Sequence, residues 1–253
     1  RLLFLLLVFL VSFVAGGIWA GIVGVMRGKF GGNEVIVSLM MNFVALFLVN
    51  YLVSGPLRAP GDLPQTPRIP QATILDFIIP GTRAHSGILL ALFAAIVVWF
   101  VLRKTTIGYK QIVAGLSPSA AWYGGINVGN RVILAAFIGG GLGALAGMVE
   151  VLGVHFRLLD GLGEGTGFVG IVAALLGKLH SIGVVIASIL YAGMEVGADV
   201  MQRRAGVPSS VIFVIQSLIV LFILASDILR YYRINLSKLF GNDRGKKTLE
   251  VDS

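Results

Sequence analysis

Seven apolar runs follow one another along the chain: Leu2 to Met26, Val35 to Val53, Gly87 to Leu102, Val132 to Val154, Gly167 to Leu176, Ile182 to Val200 and Val207 to Leu229. None shows the strict two-residue alternation of a membrane barrel strand. A helix needs about 20 residues to cross a hydrocarbon core of ~30 Å, so six of the runs predict spans and the fifth about half of one. The fold class expected is all-α: a polytopic helical membrane protein with about seven spans, one of them short or broken. The first run begins directly after Arg1 and is too long for the apolar core of a signal peptide. It predicts a complete span, with further N-terminal spans expected before it.

Composition agrees with this pattern. Of the 253 residues, 57% are hydrophobic and 13% charged, against roughly 25% charged in a soluble domain, and the mean hydropathy is +0.92. The absence of cysteine excludes a disulfide framework and a thiolate metal site. In a soluble protein a net charge of +8 would suggest nucleic acid; here it is read through the excess of Lys and Arg in cytoplasmic loops, and no nucleic-acid partner is expected. The tail, residues 230–253, carries six Lys/Arg against three acids and is placed in the cytoplasm.

Counting every run as a crossing puts Arg27, Lys29 and the polar stretch 103–131 on the cytoplasmic side as well. Thirteen of the 20 basic residues then face in, and the Arg203-Arg204 pair faces out. A re-entrant fifth run would put the tail and the 103–131 stretch on opposite sides, so Gly167 to Leu176 is expected to complete a crossing as a broken helix. The connection 54–86 falls outside and holds most of the chain's eight prolines. Proline fixes φ and lacks a backbone donor, so an ordered extracytoplasmic loop is predicted, with QATILDFII at 71–79 as a short surface helix.

Glycines four residues apart mark faces on which helices can pack closely in lipid. Gly139, Gly143 and Gly147 form one such face, and Gly17/Gly21 and Gly193/Gly197 repeat the spacing. Ionisable and amide groups at membrane depth suggest function. Glu34 and Glu150 sit at the ends of runs, where anchoring accounts for them. Asn42, Asn50, Gln216 and Glu195 lie deeper. No phosphate-binding loop, H-E-x-x-H or G-x-S-x-G motif is present. His85, His155 and His180 are isolated and expected in ordinary polar contacts, so neither an enzyme nor a cofactor is predicted. The run GLGEGTGFVG follows no strand and reads as a turn opening the fifth helix, whose free N–H groups could face a polar pathway.

The polar stretch between the third and fourth runs has its own logic. Ser117 can cap a short helix with Pro118 at its first position, and that helix, PSAAWYGGI, carries small Ala120 and Ala121, bulky Trp122 and Tyr123, and a terminating Gly-Gly. From the residues alone it is either an element that docks into a soluble partner or an amphipathic helix lying on lipid.

The arrangement Thr105, Gly108, Gly115, Ala120, Ala121, Gly125 and Ile126 resembles the cytoplasmic loop of bacterial ABC-importer permeases for simple sugars and nucleosides, the ribose/galactose-type family. Two further stretches, Asn33 to Pro56 and Gly167 to Gln202, resemble the branch that works with basic-membrane-protein-type nucleoside-binding lipoproteins. The resemblance runs from Asn33 to about Leu229 and implies a permease domain over 1–229 in the bacterial cytoplasmic (inner) membrane. The implied partners are a cytoplasmic ATPase, a second permease forming a heterodimer, an extracytoplasmic substrate-binding protein and membrane lipid. Gly115, Ser117, Pro118, Ser119, Ala120, Ala121, Trp122, Gly125 and Ile126 would form the coupling helix seated on the ATPase. Residues suited to a pathway for nucleosides or sugars are Asn42, Phe43, Asn50, Phe168 and Glu195. The competing reading is an ion-coupled secondary transporter or channel that uses Glu195.

Overall fold

The computed structural model describes residues 1–206 apart from 62, 80, 82, 83 and 164, together with scattered positions between 208 and 222. The seventh run, Gln216 and the 230–253 tail therefore lie wholly or largely outside the described residues. Eight α-helices are described: α1 (Leu2–Phe30), α2 (Glu34–Ser54), α3 (Gly87–Lys104), α4 (Thr106–Leu116), α5 (Pro118–Tyr123), α6 (Val128–Glu150), α7 (Thr166–Leu176) and α8 (Ser181–Ala205). By length and composition α1, α2, α3, α8 and α6 with its π-helical extension to His155 can each cross a membrane. Most large apolar side chains of α1, α2, α3 and α8 are exposed, among them Leu3 at 82% and Leu190 at 66%, whereas those of α6 are half-buried or buried. A surface of that kind suits lipid or neighbouring helices rather than water.

Helix boundaries follow local chemistry. α1 ends where Gly31 turns left-handed at φ 68°, with Gly31 and Gly32 N–H closing on the Arg27 and Met26 carbonyls. The Asn33 side chain then accepts from the Val35 and Ile36 N–H groups to start α2. At this junction Arg27 meets Glu34 at 3.1 Å, so the carboxylate at the start of α2 is paired. α6 runs on into a π-helical turn at Val151–His155, stopped by Phe156 at φ 59°, and there Glu150 pairs with His155 at 3.2 Å.

The closest packing lies between α1 and α6, which run antiparallel. Gly16 faces Gly140 and Gly28 faces Gly129 so tightly that a Cβ on any of the four would strike the opposite carbonyl. Gly24 sits against Ile133 and Ala136. Two phenylalanines lock the register: Phe137 lies over Gly17 and Phe13 over Gly141, the rings meeting edge to face at 6.0 Å. The glycine seam is thus real and includes Gly17 and Gly21, both against Phe137 as their spacing suggested, but on α6 its phase differs from the one expected. Gly139, Gly143 and Gly147 have nothing within 4 Å, nor do Gly193 and Gly197. Consecutive glycines at 139–141 supply more than one face, and Gly16, Ala20 and Phe13 of α1 meet the one that packs.

At the Arg1 end, the 55–86 loop and the 151–165 segment interlock. The Thr66, Ile69 and Leu75 N–H groups donate to the Leu158, Phe156 and Leu152 carbonyls at 3.0, 2.9 and 3.2 Å. Leu75, Met148 and Leu152 form a small buried core beneath them, and Arg1 donates to Ile74 O and to the Asp76 carboxylate. The 71–79 surface helix does not form. A single 3-10 turn at Gln71–Thr73 gives way to extended chain, because Leu75 is drawn inward and its N–H is used by Leu152. His85 is buried, its Nδ1 accepting from Gly87 N–H at 3.1 Å.

α7 spans 11 residues, about 16 Å at 1.5 Å per residue. It stops at a turn in which Lys178 and Leu179 both adopt positive φ, and Gly177 presses on Gly183 at the start of α8. This is where the short fifth run breaks.

Candidate functional site

At the Arg27 end, three short elements form a stiff projection. The Thr105 hydroxyl accepts from Gly108 N–H at 3.2 Å and donates to Val101 O at 2.6 Å, tying the end of α3 to the start of α4. Gly108 lies flat on the Leu102 backbone, where a side chain would not fit. Gln111 Nε2 donates to Arg131 O at 2.9 Å, fixing α4 to α6.

The Ser117 hydroxyl caps α5 by accepting from Ala120 N–H at 3.3 Å, with Pro118 in the first turn. Its oxygen lies 3.2 Å from that of Ser119. Gly124 closes α5, Gly125 follows at φ 73°, and Ile126 N–H returns to Ala121 O at 2.8 Å. The Asn127 side chain then starts α6 by accepting from Asn130 N–H.

α5 therefore has two faces. Ala121 is fully buried, whereas Pro118, Ser119, Ala120, Trp122 and Tyr123 are exposed. The two aromatic rings stand edge to face at 5.4 Å, Trp122 at 71% and Tyr123 at 85% exposure. Gly115 is exposed with nothing near its Cα. The free face of this capped helix thus presents an exposed aromatic pair beside small Ala120.

A second site lies between α2 and α7. A cavity of about 620 Å³ is lined by Ser38, Asn42 and Phe43 of α2, by Gly161, Gly163 and Gly165 of the turn, and by Gly167, Phe168 and Ile171 of α7. Asp160 stands in its wall and accepts from Asn50 Nδ2 at 2.8 Å. Asn42 and Phe168 are thus brought to one cavity, with Asn50 joined to it through Asp160. Glu195, exposed on α8, does not line it. Asp160 was not singled out in the sequence; the signal available was its place directly before the glycine run, whose Gly161, Gly163 and Gly165 all take positive φ. A further cavity of about 550 Å³ beside α3 has Ser181 as its one polar lining residue and suits apolar matter rather than a hydrophilic solute. No group of His, Asp and Glu able to hold a metal occurs among the described residues.

Residues 1–225 match a family described as the permease component of branched-chain amino acid transport systems. The chain belongs to this permease family. It is 36% identical to the guanosine ABC transporter permease NupP of Bacillus subtilis over 90% of its length and 67% of the relative's. To the glucose ABC transporter permease TsgB13 of Haloferax volcanii it is 32% identical, over 91% of this chain and 64% of that one. A second Bacillus subtilis guanosine permease, NupQ, is 25% identical over 72% of this permease and 59% of its own length. The chain thus spans about two thirds or less of these relatives. No solved structure matches. Family and helix content together make this permease a multi-pass protein of the cytoplasmic membrane.

Proposed function

We propose that the chain is the membrane-spanning permease subunit of an ATP-driven importer for nucleosides or simple sugars. The ATPase is a separate cytoplasmic partner and α5 is the element seated on it. The observation that carries this reading is the two-faced α5. Its inner face is fixed by Ala121 and by caps at both ends, while Ala120 and Trp122 face outward on an otherwise rigid projection. The groove between α2 and α7 forms part of the solute path. A second permease completes the path, as the likeness to two different guanosine permeases of one organism, NupP and NupQ, suggests. A solute-binding protein delivers from the Arg1 side, where the interlocked loops form an ordered surface.

The test separates the two alanines. Ala120→Trp in the full-length protein is expected to abolish co-purification of the ATPase while leaving the melting temperature unchanged. Ala121→Leu is expected to lower stability first, by about 1–3 kcal/mol, the usual cost of overpacking. Undiminished ATPase recovery with Ala120→Trp would remove α5 from the contact.

A further inference from the structure

The cavity between α2 and α7 has one charged side chain among its described lining residues, Asp160. That side chain is held in place. Its backbone N–H donates to Pro64 O at 3.3 Å, the neighbouring Leu159 bridges to Gln65, and one carboxylate oxygen accepts from Asn50 at 2.8 Å. Each carboxylate oxygen carries two lone pairs, so Asn50 orients the group without saturating it. Asn50 is its one side-chain partner among the described residues.

The rest of the cavity is suited to an uncharged, partly flat solute. Phe43 and Phe168 expose 50% and 60% of their surface and offer ring faces. Ser38 and Asn42, four residues apart on α2, continue a polar line along the groove. Gly161, Gly163 and Gly165 of the turn opposite present backbone alone beside Leu162, so a ligand can approach the chain closely at those points.

We propose that Asp160 is the specificity-determining residue of this groove, accepting two hydrogen bonds from adjacent donors on a neutral solute. Two sources present that chemistry: the N1–H and 2-amino edge of a guanine, and the vicinal hydroxyls of a ribose or hexose. Asp160 is exposed in the empty groove; a solute that covers it but lacks one donor leaves a newly desolvated acceptor unpaired, and this is the source of discrimination. The inference rests on the importer reading above and names the chemistry of its solute.

The experiment uses the full-length permease with its partner permease, ATPase and binding protein in proteoliposomes, and compares wild type with Asp160→Asn. ATP-dependent uptake is measured for guanosine, for inosine, which lacks the 2-amino group, and for 2′-deoxyguanosine, which lacks the vicinal diol. Glucose and 2-deoxyglucose form the hexose pair, which tests the diols that include the 2-hydroxyl. Asp160→Asn keeps the shape of the residue and an oxygen for Asn50, and is expected to lower uptake of the preferred solute about ten-fold. The decisive readout is selectivity. Loss of the preference for guanosine over inosine assigns the base edge, and loss of a diol preference in either sugar pair assigns the hydroxyls. Asn50→Leu, which frees the carboxylate, is expected to reduce the same preference by a smaller factor. An equal change for every solute, or none, overturns the role of Asp160 while leaving the importer intact. A wild-type complex that hydrolyses ATP but takes up none of these solutes overturns the substrate class itself.

Discussion

Between α1 and α6, glycine brings two backbones into contact; between α2 and α7, it lines an open groove. In the first region Gly16, Gly28, Gly129 and Gly140 leave no room for a Cβ, and phenylalanines fill the flanking hollows. In the second, Gly165 and Gly167 have nothing within 4 Å, and Asn42, Asp160 and Phe168 face shared space. Lipid provides no hydrophobic drive between helices, so the tight pair relies on close van der Waals contact. The loose pair forgoes that contact and keeps a polar lining. One residue type thus marks both the most rigid and the most open part of the fold, and only its neighbours distinguish the two uses.

That contrast can be broken by adding side chains. The largest effect is expected from Gly140→Leu, which drives a side chain into Ala20 and the Gly16 backbone. It should cost about 3 kcal/mol or more, read as loss of the folded peak in detergent. Phe137→Ala, which empties the hollow over Gly17, should cost about 2 kcal/mol, less than a fully buried phenylalanine, measured as a shift of the thermal midpoint. Gly167→Leu should change stability by less than about 1 kcal/mol yet reduce solute uptake, because the new side chain enters the α2–α7 cavity. The smallest effect is expected from Gly143→Leu in the isolated chain, within about 0.5 kcal/mol. A large loss there would mean that the open face of α6 is already occupied.

Much of this fold was legible in the sequence, and the reasons differ by element. Apolar length alone located α1, α2, α3, α6 and α8, since crossing a bilayer demands long uninterrupted runs. Ser117, Pro118 and the Gly124-Gly125 pair revealed α5, because capping is decided within four or five residues. The phase of the α6 glycine seam was not legible: choosing Gly140 over Gly139 depends on Gly16 and Ala20, about 120 residues earlier in the chain. The 71–79 segment has a helical composition but is stretched by Leu75 reaching Leu152. Asp160 stayed hidden for a similar reason, its partner Asn50 lying 110 residues away. Asn42 and Phe168 were pathway candidates in the sequence; that they share one cavity is a tertiary fact.

If α5 receives a partner, as proposed above, the small elbow at Thr105 is the first joint through which its force would pass. Its hydroxyl fastens α3 to α4, and Gln111 fastens α4 to α6. α6 in turn is clasped to α1. A thrust delivered at Trp122 would be transmitted through these joints as through a crank, turning three spans together with little flexing between them. In that proposal the α2–α7 groove, which none of these joints spans, is where opening and shutting would take place.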